Sequence, residues 1–359
     1  MRLRTALAQL TVATLAVGSL AGCDVLWDNG PIVPPVTPST SPAHRPAPEG
    51  LPWGCAGQSL PVPEGFSRET SLSGIDPSGH MLVGKVRSGD QTRLAIWSDG
   101  KIHAVFSIPG ETVYLNDVTR AGAAVGMSLD GSAHNPRGTA WKYDGQLARL
   151  PGEDALALAI NEAGVIAGSV QDRPAVWRPG KTTPDYLPLP AGERYGWATG
   201  ITEAGVVVGQ IGDAPYNGGK PLGALRAFAW YPDGSSRELV SPEPGASRVF
   251  MQSAAGDWAF GIAEGNPVLW DLRTGTARQA AAMRGTNAQG WVLSGNLVWN
   301  VNGKRAVIPG EVDGKPSGQI ASVLYVSDDG RTLAGVMGPT SAAVDGQLPV
   351  LWRCRSGTE

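Results

Sequence analysis

The sequence predicts an all-β protein, a seven-bladed β-propeller built from four-stranded antiparallel blades. The composition favours short strands joined by turns, because the 359 residues include 49 Gly, 29 Pro and 12 Trp but only 17% charged residues. A pattern of two glycines and one tryptophan also recurs seven times along the chain. Its mean period, about 42 residues between Trp97 and Trp352, is typical of four strands per propeller blade.

The third copy of this pattern, residues 159–180, shows the repeated unit most clearly. Asn161 to Gly164 is turn chemistry between two apolar runs, since Asn can bond its own backbone and Gly accepts a positive φ. A third apolar run ends at Trp177, and Pro179 begins a second tight turn. These runs predict strands A, B and C of a meander, and a fourth strand, D, follows the second turn.

Each copy supplies a turn glycine, a second glycine and a tryptophan. One four-stranded sheet cannot bury both of its faces, whereas seven sheets packed around an axis can. We expect the tryptophans to fill the wedges between neighbouring sheets. In chain order the three positions are Gly79, Gly84 and Trp97; Gly122, Gly126 and Trp141; Gly164, Gly168 and Trp177; Gly205, Gly209 and Trp230; Gly256, Gly261 and Trp270; Gly290, Gly295 and Trp299; Gly330, Gly335 and Trp352.

Two copies resemble the HAF-type extracellular repeat, whose pattern is Ile-Asn-x-x-Gly-x-Val-Val-Gly followed by Ala-Phe-x-Trp. The matching stretches are INEAGVIAG at 160–168, ITEAGVVVG at 201–209 and AFAW at 227–230. The resemblance extends over most of 71–352, although the fifth and sixth copies match only at the glycine and tryptophan positions. It implies a β-propeller outside the cell. It brings no catalytic residues, because the pattern consists of turn and packing positions.

The seventh copy ends just after Trp352 and therefore lacks a strand D. Residues 57–61, which precede the first copy, parallel the D strands of other copies, so we expect the N-terminal strand to complete the last blade. Cys55 and Cys354 flank the missing C–D turn, and in an oxidising compartment we expect them to form a disulfide. Closing this long loop contributes about 4–5 kcal/mol in the chain-entropy model. The alternative is two free thiols.

The N-terminal 52 residues lie outside the predicted ring. Residues 1–22 are predicted to be a signal peptide, because basic residues precede an apolar stretch too short for a typical membrane span. Leu20-Ala21-Gly22-Cys23 resembles a bacterial lipobox, which implies cleavage before Cys23 and lipidation of that residue; an ordinary secretory signal is the alternative. Residues 23–52 comprise Cys23 and a Pro/Ser/Thr-rich segment, which is predicted to be a tether; the alternative is a proline-motif ligand for another domain. Residues 53–359 are predicted to form the propeller domain.

These features predict a monomer that lipid on Cys23 holds at the cell membrane, facing the extracytoplasmic side. The net charge near −3 and the lack of a basic run argue against nucleic acid as a partner. No cofactor is expected. The four histidines form no zinc pattern, and turn capping explains acidic turns such as 328–330 better than calcium does, because EF-hand spacing is absent.

Recognition is expected on one face of the ring. The A–B and C–D turns are short and share the other face, whereas the B–C and D–A connections vary in length, as recognition loops on a fixed scaffold do. The long connections are 128–137, 211–225, 337–347, 191–197 and 311–320. The exposed candidates for ligand binding are His134, Asn135, Arg137, Tyr195, Trp197, Tyr216, Asn217 and Lys220. The alternative for each is a solvated loop residue.

The sequence favours a binding or interaction module for a cell-envelope protein, glycan or small ligand. It contains neither a nucleophile elbow nor a phosphate loop. The alternative is a propeller enzyme, a lyase or glycoside hydrolase, with carboxylates such as Asp130 and Asp213 at the channel mouth. A third possibility is a structural envelope protein without a dedicated pocket. Converging carboxylates with raised pKa in a deep funnel favour the enzyme, and a flat or aromatic rim favours binding.

Overall fold

The protein forms a closed ring of seven antiparallel β-sheets, which confirms the predicted seven-bladed β-propeller. The computed structural model describes residues 50–89, 91–131, 137–214, 216–217, 220–221, 223–317, 319–338 and 347–355. Within these ranges no helix has the length and apolar character needed to cross a membrane.

The first four blades are four-stranded meanders whose strands A to D follow one another in chain order. Blade 1 consists of Ser67–Ile75, Met81–Ser88, Gln91–Ser98 and Lys101–Phe106. Blade 2 consists of Thr112–Val118, Ala124–Asp130, Arg137–Tyr143 and Leu147–Arg149. Blade 3 consists of Ala155–Ile160, Ile166–Val170, Arg173–Trp177 and Asp185–Tyr186. Blade 4 consists of Tyr195–Ile201, Val207–Gly212, Leu225–Trp230 and Ser236–Glu238.

The last three blades depart from this plan in two places. Blade 5 consists of Val249–Ala255, Trp258–Ala263, Asn266–Asp271 and Ala277–Gln279. Blade 6 has only strands B, C and D, namely Val292–Ser294, Leu297–Trp299 and Arg305–Val307. Its strand A is reduced to one bridge between Arg284 and Leu293. Blade 7 consists of Ile320–Val326, Thr332–Gly338 and Leu348–Arg355, completed by Trp53–Ser59.

The second glycine of the repeat lies opposite a β-bulge in strand A. In blade 3, Ala157 pairs with Gly168 and Ala159 pairs with Ala167, so Leu158 has no partner across the ladder. The same shift in register occurs in blades 1, 2, 4, 5 and 7. The bulge brings a strand A carbonyl over the glycine, where a Cβ would lie only 1.8 Å from the oxygen of Leu156. This close approach explains why glycine recurs at this position.

Four of the repeated tryptophans tie their blade to the preceding one. The indole Nε1–H of Trp177 donates to the carbonyl of Pro151, at the end of strand D in blade 2, over 2.8 Å. Trp97, Trp230 and Trp270 make the equivalent bond to Pro61, Pro188 and Val240. Each of the seven hydrophobic clusters also draws its residues from two neighbouring blades. The core is therefore a set of seven wedges, as predicted for the tryptophans.

The A–B turns are closed by buried polar residues. Asn161 is 2% exposed, its Oδ1 accepts the Val165 N–H at 3.0 Å, and its carbonyl accepts the Gly164 N–H at 2.8 Å. Its Nδ2 donates across the blade boundary to the Thr202 carbonyl at 3.3 Å. Buried polar residues occupy the same position in six blades: Asp76, Thr119, Asn161, Thr202, Asn287 and Ser327. Turn capping thus accounts for these side chains.

The ring closes as predicted, with the N-terminal strand as strand D of blade 7. Trp53–Ser59 runs antiparallel to Leu348–Arg355, with Gly57 opposite Trp352. Cys55 and Cys354, 299 residues apart in sequence, form the predicted disulfide. The strand begins four residues before the predicted 57–61, so the disulfide lies within the paired segment.

A hairpin, Glu311–Val312 with Lys315–Pro316, covers the outer edge of this closing strand. Val312 pairs in parallel with Gly57, and the Asp313 N–H donates to the Gly57 carbonyl at 2.9 Å. The Asp313 carboxylate accepts the Ser59 hydroxyl at 2.6 Å and the Ser59 N–H at 3.2 Å. The prediction that 311–320 is a free D–A recognition loop is therefore wrong for its first half, which is committed to closing the ring.

Candidate functional site

The two faces of the ring are lined by different connections. The turn face carries the A–B and C–D turns, such as 161–165, whereas the loop face carries the B–C and D–A connections, such as 171–172 and 213–224. On the loop face the B–C connection has two residues in blade 3 but twelve in blade 4. The loop face is therefore the more variable surface, and its role in recognition stays a prediction.

Five of the eight predicted binding residues lie where side chains are not described. His134 and Asn135 fall outside the described residues. Tyr216–Asn217 and Lys220–Pro221 form a two-stranded hairpin within the B–C connection of blade 4, but the side chains of Tyr216, Asn217 and Lys220 fall outside the described part. Their place on the loop face follows from the topology alone.

The other three predicted residues take different positions. Arg137 is exposed at the start of strand C in blade 2, opposite Asp130. Tyr195 is half-buried at the start of strand A in blade 4. The expectation that Trp197 is exposed is wrong: it is 4% exposed, and its Nε1–H donates to the Asp172 carboxylate at 3.3 Å. Strand A starts two residues before Trp197, which places its side chain between blades.

A charged cleft on the loop face was not predicted from the sequence. This Arg226 cleft, of about 230 Å³, lies between strands C and D of blade 4 and the following D–A connection. The Arg226 guanidinium contacts the carboxylates of Glu193 and Glu238, each at 2.5 Å, and Glu243 also lines the cleft. Two carboxylates on one guanidinium hold the arginine in place and leave a polar recess. No sequence signal joins these residues, because Arg226 lies on strand C, Glu238 on strand D and Glu193 in the connection before strand A.

Carboxylates on the turn face link successive blades. Glu162 accepts the Arg120 N–H at 2.7 Å, Glu203 accepts the Glu162 N–H at 2.9 Å, and Asp328 accepts the Ala288 N–H at 2.7 Å. In each case the carboxylate belongs to the second turn residue of one blade and the N–H to the equivalent residue of the preceding blade. These side chains therefore form part of a belt around the channel mouth.

Burial and like charges raise the pKa of two belt carboxylates. The pKa of Glu203 is raised by burial and then by the charges of Glu162 and Asp328. The pKa of Asp328 is raised by burial and then by Asp329 and Asp76. The second oxygen of Glu203 accepts no hydrogen bond from the described residues. A raised carboxyl pKa is a feature that general acids share.

Asp117, on strand A of blade 2, is the most strongly shifted acid. Burial raises its pKa to about 7, although hydrogen bonds from the Ile160 and Val118 N–H groups, both at 2.9 Å, oppose the rise. Glu203 and Asp76 add to the rise through their like charge. Because each carboxylate oxygen already accepts an N–H, Asp117 acts as a tie between blades 2 and 3.

No three metal-binding side chains of the described residues come together in a geometry suited to a metal ion. The two carboxylates predicted for the alternative enzyme belong to different blades. Asp130 accepts the Glu111 N–H at 2.9 Å as a loop cap in blade 2, whereas Asp213 lies in the B–C connection of blade 4. The converging carboxylates with raised pKa lie on the turn face instead.

No family model and no curated protein matches this sequence. Among solved structures, the fold is similar to dipeptidyl peptidase 4 of Porphyromonas gingivalis at 10% identity and a TM-score of 0.45, covering 82% of this chain and 53% of that one. It is also similar to the Dos1 propeller (10% identity, TM-score 0.41, 78% and 76% covered) and to a gluconolactonase of Xanthomonas campestris (12%, 0.35, 87% and 99%). This chain thus spans about half of the peptidase, and TM-scores this low support no inference about activity.

Proposed function

We propose that this protein is a lipid-anchored, extracytoplasmic binding module whose loop face contacts a cell-envelope protein, a glycan or a small ligand. The observation that carries the proposal is the concentration of variable connections on one face, above a ring whose repeats are otherwise uniform. The Cys55–Cys354 disulfide supports an oxidising compartment. The lipobox-like segment before Cys23 and the proline-rich tether support attachment to a membrane.

The experiment captures partners from envelope extracts on the immobilised propeller domain, residues 50–359. A loop-face variant combines Arg137→Ala, Tyr216→Ala and Lys220→Ala, and its matched control combines Lys142→Ala, Arg178→Ala and Lys181→Ala near the C–D turns of the turn face. We expect the loop-face variant alone to lose the captured partner. Loss of capture only in the turn-face control would contradict the proposal.

The anchor is tested on the full chain in a bacterial host. With native Cys23 we expect the protein in the membrane fraction with a mass increase from acylation, and with Cys23→Ala we expect it without acyl chains. A native chain that carries no lipid on Cys23 would reject the anchor and leave the ring as a secreted module.

A second candidate function, a lyase or glycoside hydrolase, is favoured by the raised pKa values of Glu203 and Asp328 at the channel mouth. A panel of envelope polysaccharides incubated with the wild type, Glu203→Gln and Asp328→Asn tests it. This candidate requires product formation by the wild type that the two substitutions reduce by at least about 100-fold, the lower range for a general acid.

A further inference from the structure

An ammonium group without a counter-charge among the described residues lies at the inner end of the wedge between blades 1 and 2. Lys85 is the fifth residue of strand B in blade 1 and pairs with Ser71 of strand A. It lies on the same side of the strand as Val83, which packs against blade 2. Its Nζ is 4.0 Å from the ring centroid of Tyr114, on the innermost strand of blade 2. The ammonium thus faces the neighbouring blade close to the central channel.

Lys85 forms no ion pair or hydrogen bond with any described residue; its one polar contact is the Tyr114 ring. Two other described lysines have carboxylate partners: Lys142 contacts Asp144 and Lys181 contacts Asp185, each at 2.8 Å. Burial lowers the pKa of Lys85 to about 8, and no carboxylate offsets this effect. A ring face compensates only part of the cost of desolvating an ammonium, so the site favours a bound anion.

The Tyr114 hydroxyl is a second donor at the same place. The Tyr114 residue is 2% exposed, its hydroxyl makes no hydrogen bond with the described residues, and burial raises its pKa, so the group stays protonated. Tyr114 is the third residue of its strand, which starts at the loop face, and Lys85 lies in the second half of a strand that ends there, so both groups belong to the loop-face half of this wedge. The carboxylates Glu162, Glu203 and Asp328 lie at the opposite mouth.

We propose that Lys85 and Tyr114 bind the anionic group, carboxylate or phosphate, of a small ligand that enters the channel from the loop face. An ammonium and a neutral hydroxyl together offer charge-assisted hydrogen bonds to such oxygens. This proposal rests on the proposed function for the side from which the ligand enters. It adds the chemical class of the ligand that binds on the loop-face side. The acidic belt at the other mouth repels an anion from that side, which adds selectivity for entry through the loop face.

The test uses the purified full chain with its lysines reductively methylated with ¹³C, so that each lysine gives its own NMR signal. Acetate and inorganic phosphate are titrated separately, with chloride at matched ionic strength as the control. We expect acetate, phosphate or both to raise the pKa of the Lys85 signal while the exposed Lys101 signal is unchanged. Response to acetate alone identifies a carboxylate ligand, and response to phosphate alone identifies a phosphate ligand.

Two variants give an independent readout through ligand-dependent thermal stability. Lys85→Met removes the charge at similar volume and should abolish the rise in melting temperature, whereas Lys101→Met should retain it. Tyr114→Phe should weaken binding about tenfold, the effect of one lost hydrogen bond to a charged group. A Lys85 signal that ignores both anions, or that responds equally to chloride, would overturn the proposal even if the variants fail to fold.

This experiment separates the anion site from the proposed function. If envelope capture fails while acetate or phosphate shifts the Lys85 signal, the channel site stands without a macromolecular partner. If capture succeeds and the Lys85 signal does not respond, the loop-face module stands and the anion site is wrong.

Discussion

Replacing Gly168 by alanine tests the explanation of the repeat at its tightest point. The added Cβ would lie 1.8 Å from the Leu156 carbonyl oxygen, 2.9 Å from its carbon and 3.0 Å from Cζ3 of Trp177. Two of these neighbours are backbone atoms of the strand A bulge, so the strand itself must move. Overpacking costs about 1–3 kcal/mol, and each displaced ladder bond adds about 1 kcal/mol. We therefore expect a loss of about 3–5 kcal/mol in the free energy of unfolding.

Gly180→Ala is the matched control, because it lies in a C–D turn with no atom within 4 Å of the added Cβ. Its φ of +79° leaves only the strain of a left-handed residue, about 1–2 kcal/mol. Urea denaturation of the oxidised propeller domain, followed by tryptophan fluorescence, measures both variants. At a strand position without a steric clash, replacing glycine by alanine would stabilise the folded protein by about 0.4–1 kcal/mol, because alanine lowers the conformational entropy of the unfolded chain. A Gly168→Ala loss no larger than that of Gly180→Ala would refute the bulge explanation.

Three further predictions concern charge, indole bonds and ring closure. Asp117 titrates at about 7 when folded, against 3.8 when unfolded, so its ionisation lowers stability as pH rises between about 4 and 7. Across this interval the free energy of unfolding of Asp117→Asn should therefore rise relative to that of the wild type, by up to about 4 kcal/mol. Melting temperatures of both proteins measured at several pH values check this, and a difference that does not change with pH would contradict it. In urea denaturation, Trp177→Phe should lower the free energy of unfolding by about 1 kcal/mol more than Trp352→Phe does. Trp177 loses its hydrogen bond to Pro151, whereas the Trp352 indole has no partner among the described residues. Equal losses would count against the bond between blades. Asp313→Ala should lower stability by about 1–2 kcal/mol through the bonds to the closing strand, and unchanged hydrogen exchange of the Ser59 amide would show that the hairpin does not hold that strand.

The ring and its closure were predictable because the repeat is made of local signals. Turn residues such as Asn161 and Gly164 set strand boundaries, and the period of about 42 residues set the number of strands per blade. The missing D strand and the two remaining cysteines then predicted that the N-terminal segment closes the ring, although the strand spans Trp53–Ser59 instead of the predicted 57–61. The bulge was not predictable, since Gly168 recurs in the sequence without showing which carbonyl excludes a side chain.

The candidate site was predicted only in part, because most of its contacts join distant blades. Arg226, Glu193 and Glu238 lie in three separate segments, and Lys85 meets Tyr114 across a blade boundary. Trp197 was predicted to be an exposed residue of the 191–197 connection, but strand A starts at Tyr195 and turns the Trp197 indole inward. Contacts of this kind depend on side-chain direction after the ring has closed, which sequence spacing does not encode.

The position of the disulfide determines how the ring would respond to tension. The described part of the chain begins at residue 50, five residues before Cys55, which is bonded to Cys354 on strand C of blade 7. When tension acts between residue 50 and residue 355, the covalent path runs through the S–S bond and bypasses the loop of 299 residues that the bond closes. Blades 1 to 6 lie within that loop, so tension applied between these two points does not unravel their strands one after another.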